Sequence, residues 1–190
     1  MTEQQAGEEA ATGKVSSRRV YTGRVISLDV DEVRFPNGTT GELEMIRHSG
    51  ASAVVPLLDA AKADPDVVLI RQYRYAANGY LYEIPAGRLD PGESPEKCAE
   101  RELGEETGYS AGRLRQLTTI YTTPGFTDER IHIFVAEELT NGIATPEDDE
   151  FMEIHPIPLS RAVAMIHSGE IVDAKTAIGL LLAHASHRPE

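Results

Sequence analysis

The chain is poor in cysteine, in positive charge and in long apolar runs. One cysteine, Cys98, occurs in 190 residues. That excludes an internal disulfide and a cysteine-rich zinc site, and leaves a small buried thiol as the expected role. Lys and Arg number 18 against 31 Asp and Glu, a formal charge of −13. No basic face of the kind nucleic-acid binders carry is visible. No apolar run is long enough to span a bilayer, and the N-terminus lacks the basic-then-apolar layout of a signal peptide. The expectation is a cytoplasmic protein with no membrane and no nucleic-acid partner.

With 41% hydrophobic residues the chain builds a real core, and its length suits one domain with an appended segment. Residues 1–15 are small, polar and acidic, and read as a disordered tail. Residues 16–50 read as an N-terminal β segment, folded back at Pro36-Asn37-Gly38. Residues 51–187 read as the main domain. Strands are expected over Ser52–Leu58, Val67–Tyr75, Tyr80–Gly87, 114–123, 130–139 and 151–159. Helices are expected from Pro95 to Gly108, from Ser160 to His167 and from Ala174 to Ala185. Ser94 suits a helix cap, Pro95 the first helical position and Gly108 the end. No internal repeat is present. Separated helices among many strands give an α+β fold class.

The stretch AGRLDPGESPEKCAERELGEETGY, residues 86–109, holds seven acidic residues and three basic ones. Glu102, Glu105 and Glu106 stand at i, i+3 and i+4, so their carboxylates share one helix face. Like charges at that spacing repel. A hard divalent cation would gather them, since Mg²⁺ takes oxygen ligands and keeps waters and phosphates in its other positions. The plainer alternative is a solvated acidic face. An ion pair between Glu93 and Arg101 would tie the preceding loop to the helix.

The full spacing decides between these. Gly87 is followed after five residues by Glu93, then after seven by Arg101-Glu102-Leu103, then by Glu105-Glu106, Gly108 and Tyr109. This resembles the Nudix box of the Nudix hydrolase superfamily. Tyr109 departs from the bulky aliphatic residue usual at that place, but it still buries an apolar ring. The glycine at position 104 costs helix stability and has no evident reason.

The resemblance implies a Nudix fold: an α/β/α sandwich around a mixed sheet, with an N-terminal antiparallel β hairpin used in dimerisation. It implies hydrolysis of a nucleoside diphosphate derivative with Mg²⁺ or Mn²⁺, two or three ions per site. By position, Glu102 and Glu106 are metal ligands, Glu105 is a further ligand or orients water, and the Ala86 carbonyl is another ligand. Gly87, Glu93, Arg101 and Gly108 shape the box.

Downstream, Pro124 lies sixteen positions after Gly108 within YTTPGFTDER. That offset, with YEIPAG before the box, is similar to the ADP-ribose pyrophosphatase branch. The resemblance then implies that Arg74 and Glu83, with Pro124, Phe126 and Glu129, contact substrate. It implies a catalytic base in the acidic loop, Glu150 first and Asp148 second. Arg71, on the opposite sheet face from Arg74, is expected to make a structural ion pair. Tyr21, Phe35 and Tyr73 are candidates for stacking on adenine. A homodimer is expected, because Val20, Val25, Ile26, Leu28, Val33 and Phe35 give the N-terminal strands more apolar surface than one hairpin buries. Two alternatives remain: a Nudix pyrophosphatase for a sugar nucleotide or dinucleotide, or a sensor that binds ADP-ribose without cleaving it.

Overall fold

The computed structural model describes residues 11–145 and 152–187. It resolves into two compact units, one built from the chain up to His48 with Thr122–Glu129, the other from Ser49–Tyr121 with the chain from Arg130 onward.

The first unit is a three-stranded antiparallel meander: β1 (Gly13–Thr22), β2 (Ser27–Arg34) and β3 (Thr40–Arg47), in that order. The expected hairpin is β2–β3, turned at Pro36-Asn37-Gly38, where Gly38 takes φ +82°. β1 adds a third strand through a tight turn closed by the Gly23 N–H on the Ile26 carbonyl at 2.9 Å. It starts at Gly13, inside the segment expected to be a tail through residue 15; residues 1–10 lie outside the described residues. Every residue of β1 is exposed, and Val15, Val20, Tyr21, Val25, Ile26 and Leu43 present apolar surface. The buried side chains of this sheet are carboxylates, Asp29 and Asp31.

The second unit is an α/β/α sandwich. Its strands are β4 (Ala51–Leu58), β5 (Asp66–Arg74), β6 (Gly79–Glu83), β7 (Ala86–Arg88), β8 (Tyr109–Tyr121), β9 (Arg130–Asn141) and β10 (Met152–Pro158). The order is β10-β5-β4-β9-β8, with β6 on β5 and β7 on β4. β4 and β9 run parallel and their neighbours antiparallel, so the sheet is mixed.

Alternation along the strands makes the two layers. Val55 and Leu57 of β4, with Ile133 and Val135 of β9, face helices α2 (Leu159–Ser168) and α3 (Ala174–Ser186). Val54, Phe134 and Ala136 face the other way, against Ala99 and Leu103 of α1 (Pro95–Thr107). Among the described residues no helix is long and apolar enough to cross a membrane.

The strand expected over Tyr80–Gly87 is two strands. Pro85 has no N–H to continue a ladder. The Ile84 N–H is instead taken by Thr176 Oγ1 of α3 at 2.9 Å, and the Pro85 carbonyl accepts from Val54 N–H at 2.9 Å. This break swings Ala86–Arg88 from β5 across to β4 and places it beside α1.

Candidate active site

Helix α1 begins and ends as its sequence requires. Ser94 Oγ accepts from Lys97 N–H at 3.3 Å, Pro95 takes the first turn, and Gly108 closes the helix in the left-handed region at φ +76°. Ala99 and Leu103 anchor one side. The acidic side then faces β7.

Glu102 and Glu106, one turn apart, are 8% and 2% exposed. Burial of carboxylates is costly unless each finds partners, and each does so separately. Glu106 Oε2 accepts the Ala86 N–H at 2.9 Å. Glu102 occupies the space beside Gly87 that a side chain there would fill. Its Oε1 accepts from Arg101 Nη1 at 2.6 Å. Glu105, whose side chain is 41% exposed, accepts from the same nitrogen at 3.0 Å.

Arg101 holds more than the expected ion pair. Its Nε and Nη2 form a fork on the two oxygens of Glu93, both at 3.0 Å, and Nη2 also reaches the Arg88 carbonyl at 3.1 Å. A planar guanidinium suits such two-point binding. Glu93 also accepts the Asp90 N–H at 3.0 Å. The Arg101 guanidinium holds the Glu93 carboxyl well down, to about 2. Arg101 and the Ala86 amide thus both help to hold the acidic face. The N–H of Ala86, whose carbonyl the resemblance offers as a metal ligand, is the group bonded to Glu106.

Glu83 is a further buried carboxylate, 2% exposed. Arg74 binds it by Nε at 2.7 Å and Nη2 at 2.9 Å. Lys175 Nζ also binds it, and reaches Asp173 at 3.0 Å. Burial pushes the Glu83 carboxyl up, but Arg74 and Lys175 outweigh it and the net direction is down. Sequence reasoning missed Lys175 and Thr176. They lie 92 residues from Glu83 and Ile84 respectively, and no local pattern marks them.

Arg71 makes the expected structural contacts, 3.5 Å from Glu153 and stacked 4.4 Å over the Tyr80 ring. Tyr73 meets Tyr80 edge-on.

Pro124, Phe126 and Glu129 belong to the other unit, with the N-terminal sheet, as do Tyr21 and Phe35. Glu129 accepts from Thr122 Oγ1 at 2.8 Å and lies 3.4 Å from His48 Nδ1. Asp148 and Glu150 lie outside the described residues. A cavity of about 530 Å³ opens elsewhere, between Arg113, Arg115 and Ala183, and no box residue lines it.

Among the described residues no three His, Cys, Asp or Glu side chains cluster into a metal cage. An Mg²⁺ or Mn²⁺ ion needs fewer, since it keeps waters and substrate phosphates as ligands. Two buried carboxylates beside a glycine gap fit that kind of site.

The NUDIX domain model matches residues 47–176. The chain belongs to the Nudix family. It is 40% identical over 168 residues to the ADP-ribose pyrophosphatase of Bacillus subtilis, covering 87% of this chain and 89% of that protein. It is 41% identical over 189 residues to the GDP-mannose pyrophosphatase of Escherichia coli, covering 92% and 93%. The crystal structure of an ADP compounds hydrolase shares the fold, with TM-score 0.77, 23% identity and 92% of each chain covered. The box described above is thus the Nudix box of a Nudix hydrolase, an enzyme class that depends on a divalent metal.

Proposed function

We propose that this Nudix hydrolase cleaves ADP-ribose. Water adds to one phosphorus, the bridging P–O bond of the diphosphate breaks, and AMP and ribose 5-phosphate leave. The observation that carries the reading is the seating of buried Glu102 and Glu106 against Ala86-Gly87, in a chain so similar to an ADP-ribose pyrophosphatase over most of its length.

Glu102 and Glu106 would hold Mg²⁺ or Mn²⁺, two or three ions with the substrate present, which neutralise diphosphate charge. Glu105 sits at the exposed edge of that face, suited to orient water. Arg74, pinned by Glu83, supplies a guanidinium for phosphate oxygens. Pro124, Phe126 and Glu129 form a substrate loop, and Glu150, or else Asp148, takes the proton from the attacking water; the support for these roles is the resemblance. The exposed apolar residues of β1, of the turn that follows it and of β3 (Val15, Val20, Tyr21, Val25, Ile26 and Leu43) support a homodimer through the N-terminal sheet, checked by light scattering on the purified chain.

A second reading, GDP-mannose cleavage, is favoured by the equally high identity to the Escherichia coli enzyme. The deciding experiment measures products from ADP-ribose, GDP-mannose, UDP-glucose, NADH and 8-oxo-dGTP with Mg²⁺ or Mn²⁺, for the native chain and Glu106→Gln. The expected result is AMP and ribose 5-phosphate from ADP-ribose as the best substrate, with Glu106→Gln reduced about 100-fold or more. Preference for GDP-mannose would move the assignment to the second reading. Binding of ADP-ribose without cleavage would make the protein a sensor.

A further inference from the structure

The end of β3 carries Thr122–Glu129 almost as a fourth strand. Ile46 bridges Thr127 in parallel, its N–H donates to the Phe126 carbonyl at 2.8 Å, and its carbonyl accepts the Asp128 N–H at 3.3 Å. The His48 N–H donates to Asp128 Oδ1 at 3.0 Å.

Arg47 lies between these bonds, and each of its three guanidinium nitrogens goes to a different aspartate. Nε reaches Asp29 at 3.1 Å, Nη2 reaches Asp31, and Nη1 reaches Asp128 at 3.1 Å. Asp29 and Asp31 alternate on β2, so they share a face. They are 6% and 4% exposed, and Arg19 and Ser17 complete their partners. Two buried carboxylates thus fix the Arg47 fork, and its third arm is aimed at the loop. A lysine could not reproduce this, because its ammonium is a point charge rather than a fork.

We propose that Arg47 is a positioning residue: it transmits the rigidity of the N-terminal sheet to the loop Thr122–Glu129 through Asp128, and so sets substrate affinity. The inference rests on the reading of that loop as substrate-binding. Asp128 stands between Phe126 and Glu129, so its placement decides theirs.

The test uses Asp128→Ala, which leaves the Arg47 contacts to Asp29 and Asp31 intact, and Arg47→Lys, which keeps the charge. Two quantities are read in each full-length variant: amide hydrogen exchange at Ile46, His48 and Asp128, and the steady-state constants for ADP-ribose. The expected result is exchange at these amides about tenfold faster and KM about tenfold higher, with kcat within about twofold. Loss of one charge-assisted hydrogen bond is of that size. Unchanged exchange in both variants would overturn the docking role. Faster exchange with unchanged KM would overturn the link to substrate. Full recovery of both quantities in Arg47→Lys would show that charge, not the fork, suffices, and would also overturn the proposal. The exchange measurement involves no substrate, so it decides the docking even if the native chain prefers GDP-mannose.

Discussion

The carboxylate of Glu102 occupies the place where a side chain on Gly87 would stand; a Cβ added there would collide with it. Gly87 is thus required by a close approach rather than by an unusual backbone angle. Gly87→Ala should drive Glu102 off β7. The expected outcome is a loss of about 100-fold in kcat with little change in melting temperature, measured by product formation and thermal unfolding. Near-native turnover in this variant would show that Glu102 need not sit there.

The Glu93–Arg101 fork should make stability depend on acid. The Glu93 carboxyl is held at about 2 against an ordinary 4.5. A carboxylate with a lowered folded value stabilises fully above the ordinary value, and that contribution is lost as pH falls from about 4.5 toward 2. Urea midpoints measured through this window should drop more steeply for the native chain than for Glu93→Gln. Parallel curves would sink the assignment.

Cys98 is buried against the box, its Sγ 3.5 Å from the Gly87 carbonyl. Burial pushes the thiol up, to about 11. Thiolate is the reactive form, so the folded protein should react with a thiol reagent near pH 8 at least about 100-fold more slowly than in urea. Rapid labelling of the native protein would contradict this.

Two glycines of the box should respond with opposite sign. Gly108 has φ +76°, and an added Cβ would lie 2.7 Å from the Ala144 nitrogen. Gly108→Ala should cost about 1–3 kcal/mol. Gly104 is mid-helix, and the nearest atom to an added Cβ is the Tyr109 carbonyl oxygen at 3.9 Å. Gly104→Ala should therefore gain about 0.5–1 kcal/mol. Urea unfolding of both variants checks the pair, and destabilisation of Gly104→Ala would mean the glycine answers to something beyond helix propensity.

Much of this was legible in the chain alone. The cap at Ser94, the stop at Gly108, the Glu93–Arg101 pair and the shared face of the glutamates follow from local rules of spacing, and the structure reproduces them. The apolar run Ser52–Leu58 reads as a strand, and the structure packs its Val55 and Val54 into opposite layers. Such features need only neighbours within a turn or a strand, so sequence determines them.

Tertiary structure decided the partners. Sequence placed three like charges on one face, but only the fold shows that Arg101 serves two of them and the Ala86 amide the third. It could not foresee Lys175 on Glu83 or Thr176 on Ile84. Nor could it foresee that Thr122–Glu129 docks on β3. The last three contacts join segments 81 to 92 residues apart. No periodicity connects such segments. What selects the partner is the desolvation of a buried carboxylate or an unpaired amide, which is relieved only when the packed chain brings a matching group within reach.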